Sequence, residues 1–158
     1  GDSSSISERR FGFSVPTSCG VIPQLNEWCD DWRTFFIRCR LKPQVDRLLE
    51  EGGDRELLSL WPALQRAAES LLRPTENVMP SLVHGDLWNG NWAAVHREPV
   101  FFDPSASFSD SEFEGGIMKM FGGFGSAFWS AYEKVLPPRP GREMRIPLYE
   151  LYHHLNHW

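Results

Sequence analysis

One polar loop constrains this chain more than any other feature: His84-Gly85-Asp86-Leu87-Trp88-Asn89-Gly90-Asn91, set between short apolar stretches. Residues 81–83 lead into it, and residues 92–95 read as a short strand. The turn His96-Arg97-Glu98-Pro99 sends the chain back through a second predicted strand, residues 100–102. Asp103 ends that strand, because Pro104 biases the residue before it away from helix. The segment is therefore predicted to be a small hairpin with Asp86 and Asn91 on the loop before it and Asp103 at its exit.

The remainder reads as helical. Residues 26–40 are predicted as a helix capped by Asn26, with Trp28, Trp32, Phe35, Phe36 and Cys39 on one apolar face. Pro43 suits the first turn of a second helix that turns Val45, Leu48 and Leu49 inward and stops at Gly52-Gly53. Asp54 is predicted to cap a third helix running to Leu72, which buries Leu57, Leu58, Trp61, Leu64, Ala68 and Leu71. Further helices are predicted near 111–121, 125–136 and 145–158, the first capped by Ser109 or Ser111. Residues 10–20 read as an irregular segment or short strand, and the polar residues 1–9 as a flexible segment outside a single lobe, 10–158. The expected fold class is α+β, mainly helical, with one small hairpin.

Charge and cysteine usage remove whole classes of function. The net charge is −5 and no Lys/Arg run occurs, which argues against a nucleic-acid or anionic-membrane partner. No apolar stretch approaches the roughly twenty residues needed to span a bilayer. Cys19, Cys29 and Cys39 form no Cys-x-x-Cys pair, so they are predicted to be buried, reduced thiols of a cytoplasmic protein rather than a zinc site. His153, His154 and His157 lack the His-Glu-x-x-His pattern and are assigned packing and surface roles, and Asp30-Asp31 a solvated helix face.

An Asp, an Asn five positions on, and a second Asp after the next hairpin is the arrangement of protein kinases. Phosphoryl transfer needs a carboxylate beside the attacking hydroxyl and oxygen ligands that hold Mg²⁺ against the phosphates. His-Gly-Asp in place of His-Arg-Asp resembles the aminoglycoside, choline and ketosamine kinases instead, and Trp88 is similar to the fructosamine kinases among them. The resemblance extends through Phe11-Gly12-Phe13, Thr17, Gly20, Gln24, Asn26, Trp28, Trp32 and Phe35-Phe36 at one end. It continues through Phe102-Asp103-Pro104-Ser105, Met120-Phe121-Gly122-Gly123-Phe124 and Leu148-Tyr149-Glu150-Leu151-Tyr152-His153 to Asn156-His157-Trp158.

The resemblance implies a protein-kinase-like C-terminal lobe of the aminoglycoside-phosphotransferase type. It implies ATP-dependent phosphorylation of the sugar 3-hydroxyl of ketosamines, fructosamines or ribulosamines, free or protein-bound, in deglycation. Asp86 would be the general base; Asn91 and Asp103 would hold Mg²⁺ and with it ATP. His84 and Glu114 would support the loop, and Trp88 is divided between a core and a sugar-facing role. Two other readings stand beside this one: a catalytically inactive kinase-like binding module, and another small-molecule kinase of the aminoglycoside/choline group.

Two departures matter. Gly115 and Gly116 fall inside a predicted helix, where each costs about 1 kcal/mol relative to alanine, so replacing them is expected to stabilise the chain. No Gly-rich phosphate loop and no strand Lys with a helical Glu partner is found, and Gly122-Gly123-Phe124-Gly125 follows a helix and reads as its punctuation. The nucleotide-binding N-terminal lobe is therefore expected to be absent from this chain, and the last helix to be truncated. The chain alone is expected to bind ATP only in the millimolar range or weaker.

Overall fold

The computed structural model describes residues 10–53, 55–75 and 77–158. The expectations for residues 1–9 and for Asp54 as a helix cap fall outside the described residues. Among those described, the fold is mainly helical with three two-stranded antiparallel sheets.

The stretch predicted as an irregular segment or short strand contributes β1 (Thr17–Cys19), which pairs with β2 (Ile22–Gln24) in a hairpin turning through Gly20 at φ +59°. The first helix, α1 (Trp32–Phe36), starts later than Asn26. Phe11 and Cys29 exchange backbone hydrogen bonds of 2.8 Å, which holds that stretch extended. Asp31 is the cap, its side chain accepting the Thr34 N–H at 2.8 Å, so this acid is part of the helix start rather than an idle solvated face. Asn26 instead sits buried, donating to the Val15 carbonyl and Thr17 Oγ1 and accepting from Arg40. Trp28 lies outside the helix, half-buried against Phe108 rather than in the main core.

The two helices predicted around Pro43 are one continuous run. A π-helical turn (Ile37–Leu41) joins α1 to α2 (Lys42–Glu50), and the Lys42 N–H bonds the Ile37 carbonyl five residues back. Pro43 lacks an N–H, and its ring crowds the carbonyl four residues back, that of Cys39. The wider turn accommodates both, and the Cys39 carbonyl accepts from Arg40 Nη1 at 2.9 Å. Next, α3 (Glu56–Leu72) buries Ala68 and Leu72, while Leu58, expected inside, is 59% exposed.

The central sheet pair joins β3 (Ser81–Val83) to β6 (Ser107–Ser109), a pairing between segments that sequence periodicity does not reveal. Between them lies the predicted hairpin, β4 (Trp92–Val95) with β5 (Glu98–Phe101). Its turn is only His96-Arg97, both at positive φ, a mirror-image turn whose twist suits flanking strands. Pro99 therefore sits within β5, opposite Ala94, on a fully exposed strand.

A 3₁₀ turn (Ser111–Phe113) leads into α4 (Glu114–Phe121), followed by α5 (Ser126–Val135) and α6 (Arg142–His157). The cap is Asp110, not Ser109 or Ser111, and it accepts the Glu112 N–H at 2.9 Å. Asp110 also receives Arg139 and the Tyr149 hydroxyl, while Glu112 receives Arg139 and Arg145. This ion network borders the aromatic core, where Trp32 packs on Phe35, Phe36 and Phe113 and donates to Tyr149 Oη at 2.9 Å.

The expectation that Gly115 and Gly116 weaken the fold is overturned. Helix α4 packs along α6 so closely that a side chain at Gly116 would meet α6 backbone, while one at Gly115 would have to displace the tip of Ile146. A Cβ at Gly116 would lie 2.7 Å from the Tyr149 carbonyl carbon and 2.9 Å from Glu150 N; at Gly115 it would lie 2.7 Å from Ile146 Cδ1. Among the described residues no helix is long and apolar enough to cross a membrane.

Candidate active site

The loop between β3 and β4 is shaped from both sides. Gly85 takes φ +80°, and a side chain there would run into the backbone carbonyl of Ser105, so only glycine fits. From below, Glu114 at the start of α4 accepts the N–H groups of Gly85 and Leu87, each at 3.0 Å. Burial raises the Glu114 carboxyl above the usual glutamate range, opposed by those two donors and by His84. His84 accepts the Asp86 N–H on Nδ1 at 3.3 Å, which leaves the proton on Nε2 to donate to the Phe102 carbonyl at 2.9 Å.

Asn91 ties the loop to itself and to the hairpin. Its Nδ2 donates to the Asp86 carbonyl at 2.8 Å and to Asp86 Oδ2 at 2.9 Å. Its backbone carbonyl accepts the Phe102 N–H at 3.2 Å, immediately before Asp103. Both amide hydrogens of Asn91 are thus spent on Asp86, and its side-chain oxygen is the atom left for another partner. Asp103 is exposed and holds φ +57°, a left-handed conformation that few non-glycine residues adopt.

Asp86 is half-buried. Burial pushes its carboxyl above the ordinary aspartate range; the Asn91 hydrogen bond, His157 and His84 pull it down, and Asp103 pushes it up. Asp86 and Asp103 therefore lie within electrostatic reach of each other. Trp88 is half-buried with its ring 4.9 Å from Phe121, and Phe121 meets His157 edge-on at 5.3 Å. His157 Nδ1 donates to the His153 carbonyl at 2.7 Å. Phe121 and His157 thus extend the loop's aromatic wall, which sequence reasoning missed. They arrive from α4 and α6, and no local spacing signals that approach. A cavity of about 810 Å³ opens elsewhere, between α4, α5 and α6, and Asp86, Asn91 and Asp103 do not line it.

Fold and site define a loop–hairpin centre in which an aspartate is clamped by its own loop amide and lies within electrostatic reach of a second carboxylate. Residues 3–158 match the fructosamine kinase family, and the chain belongs to it. It is 48% identical over 149 residues to the ketosamine-3-kinase of Mus musculus, covering 94% of this chain and 48% of that protein. It is 38% identical over 155 residues to the chloroplastic protein-ribulosamine 3-kinase of Oryza sativa subsp. japonica, covering 96% of this chain and 44% of that protein. A solved structure of a fructosamine-3-kinase candidate from Thermobifida fusca superposes with a TM-score of 0.85 at 27% identity, covering 96% of this chain and 53% of that one. The chain spans about half the length of the curated relatives it matches.

Proposed function

We propose that this chain is the catalytic half of a ketosamine kinase: a protein-kinase-like C-terminal lobe, residues 10–158, that phosphorylates the sugar 3-hydroxyl of ketosamines with ATP. The observation that carries the reading is Asp86, held by Asn91 on a loop braced by Glu114, with Asp103 within electrostatic reach of it. The names of the mouse and rice relatives support ketosamines as the substrate class, with protein-bound ribulosamines among them. A cytoplasmic location is part of the proposal, although the rice relative is named chloroplastic.

Asp86 accepts the proton of the 3-hydroxyl as that oxygen forms its bond to the γ-phosphorus, and the bond from that phosphorus to the β-bridging oxygen breaks to release ADP. A half-buried carboxylate with a raised pKa is a better proton acceptor than an exposed one. Asn91 Oδ1 and the Asp103 carboxylate are hard oxygen donors of the kind Mg²⁺ prefers, and they would hold that ion. When bound, Mg²⁺ neutralises charge on the phosphates. Trp88, with Phe121 beside it, offers an aromatic face on which a sugar ring can pack.

The test uses a chimera in which this chain replaces the matching segment of the mouse ketosamine-3-kinase. Asp103→Ala should weaken ATP binding by at least about tenfold when Mg²⁺ is present, because the loss of one charged oxygen ligand falls on the ion. Binding without Mg²⁺ should stay unchanged. Equal losses under both conditions would remove Asp103 from the metal role.

A further inference from the structure

Behind the loop, three side chains from distant segments converge. Cys19 ends β1, Asp86 lies on the loop, and His153 lies in α6. The Cys19 Sγ, a carboxylate oxygen of Asp86 and a ring nitrogen of His153 all lie within 4.8 Å of one another. We propose that Cys19, Asp86 and His153 form a binding site for a thiophilic divalent cation of the zinc type.

His153 supplies the independent observation. It is fully buried, and among the described residues neither ring nitrogen has a hydrogen-bond partner. Buried polar atoms are nearly always satisfied, so the unpartnered lone pair on this ring calls for an occupant; the other nitrogen carries the proton and is not satisfied by the ion. The ring cannot turn toward water to find one, because Phe113 stacks on it at 5.5 Å and Tyr152 meets it edge-on at 4.9 Å. Burial, with His157 and His154 nearby, pushes its pKa down to about 3, so the imidazole is neutral and offers a lone pair.

The donor set selects the ion. Sulfur and imidazole nitrogen suit zinc, whereas Mg²⁺ prefers an all-oxygen shell such as Asn91 and Asp103 present. Ligand bonds of about 2.0–2.3 Å in a tetrahedron put donor atoms roughly 3.3–3.8 Å apart. The present spacing of up to 4.8 Å therefore has to close by up to about 1–1.5 Å, a movement that Cys19 and Asp86 make toward the fixed His153 ring. Three protein ligands leave the fourth position for water. The Cys19 thiol is pushed up to about 12, chiefly by burial, so the cation must displace its proton on binding. Arg40 lowers that thiol's pKa, and its positive charge also opposes a second cation, which makes the thiolate indispensable. The Cys-x-x-Cys spacing that sequence reasoning sought is absent, because these ligands come from three separate elements.

An ion at this site draws Asp86 away from Asn91, so its occupancy would switch off the proton acceptor. That consequence rests on the proposed function; the site itself does not, and its test needs no turnover. The purified 158-residue chain, reduced, is titrated with Co²⁺ as a spectroscopic substitute for zinc. One equivalent should bind with a thiolate-to-cobalt charge-transfer band in the near ultraviolet and tetrahedral visible bands, and Zn²⁺ should bleach both. Cys19→Ser should abolish the charge-transfer band, and His153→Gln should weaken Co²⁺ binding by at least about tenfold. Cys29→Ser should retain the band, since Cys29 lies in another part of the core. Circular dichroism checks that each variant folds. If Cys19→Ser does not, Asp86→Asn on the half-buried loop takes its place and should weaken binding by a similar factor. Absence of the band in the wild-type chain, its survival in Cys19→Ser, or unchanged affinity in Asp86→Asn would overturn the proposal.

Discussion

Gly116→Ala is expected to destabilise the protein, although helix propensity alone favours the change. Propensity contributes about 1 kcal/mol in favour of alanine. Against it stand three contacts: the new Cβ would lie 2.7 Å from the Tyr149 carbonyl carbon, 2.9 Å from Glu150 N and 2.9 Å from Tyr149 Cβ. Unstrained carbon contacts lie near 3.5–4.0 Å, so α4 and α6 would have to separate by about 0.5–1 Å. Two of the three atoms are backbone of a buried helix and cannot rotate away, which places the overpacking cost toward the upper part of its usual range of about 1–3 kcal/mol. The net loss is about 1–2 kcal/mol, or roughly 2–8 °C in Tm for a chain of this size. The shift would also move Glu114 on α4 away from the Gly85 and Leu87 N–H groups, so loop order should fall with stability. The assay is thermal and urea unfolding of the wild type, Gly116→Ala and Gly125→Ala. Gly125 has open space around it, and its variant should stay within about 0.5 kcal/mol of wild type. A rise in Tm for Gly116→Ala would refute the close-approach argument.

Two further outcomes follow from the electrostatics. A carboxyl-carbon NMR titration of Asp86 should give a midpoint above the ordinary aspartate value of 3.8, because burial outweighs the Asn91 bond and the nearby histidines; a midpoint below 3.8 would contradict the half-buried environment. Glu112 is pushed up by burial but pulled further down by Arg139 and Arg145, to a net value below 4.5. A depressed carboxylate contributes stability that is full above its unfolded value and is lost as pH falls through its folded value. The unfolding free-energy difference between wild type and Glu112→Gln should therefore shrink below about pH 4.5, and this difference separates Glu112 from Asp110, which burial pushes the other way. A difference that stays constant down to pH 3 would show that the arginines do not hold Glu112 ionised.

Local pattern made part of this structure legible before any coordinates. The β4–β5 hairpin was readable from two short apolar strands around a turn, and the apolar face of Trp32, Phe35, Phe36 and Cys39 from helical spacing. The loop from His84 to Asn91 stood out because it sets Asn91 five positions after Asp86 and leads into a hairpin that ends at Asp103. What escaped reading depends on contacts between remote segments. Asn26 looks like a helix cap in isolation, but the Phe11–Cys29 pairing holds its neighbourhood extended. Pro43 looks like a helix start, but a π turn lets the helix run through it. Gly115 and Gly116 look like weak points until α6 is laid across them. His153 and His157 are assigned packing and surface roles from sequence, and buried His153 fits the first, but their approach to Asp86 from α6 has no local signal.

The central claim is that Asp86 accepts the substrate proton during phosphoryl transfer. It is tested most directly by single-turnover phosphorylation of a model ketosamine by the mouse-enzyme chimera carrying this chain, with Asp86 or with Asp86→Asn. The chimera with Asp86 should transfer phosphate from Mg-ATP. Asp86→Asn should slow that step by roughly a hundred- to ten-thousandfold, the usual worth of a positioned base, while ATP affinity changes little. A chimera that transfers phosphate equally fast with asparagine at position 86 would contradict the account.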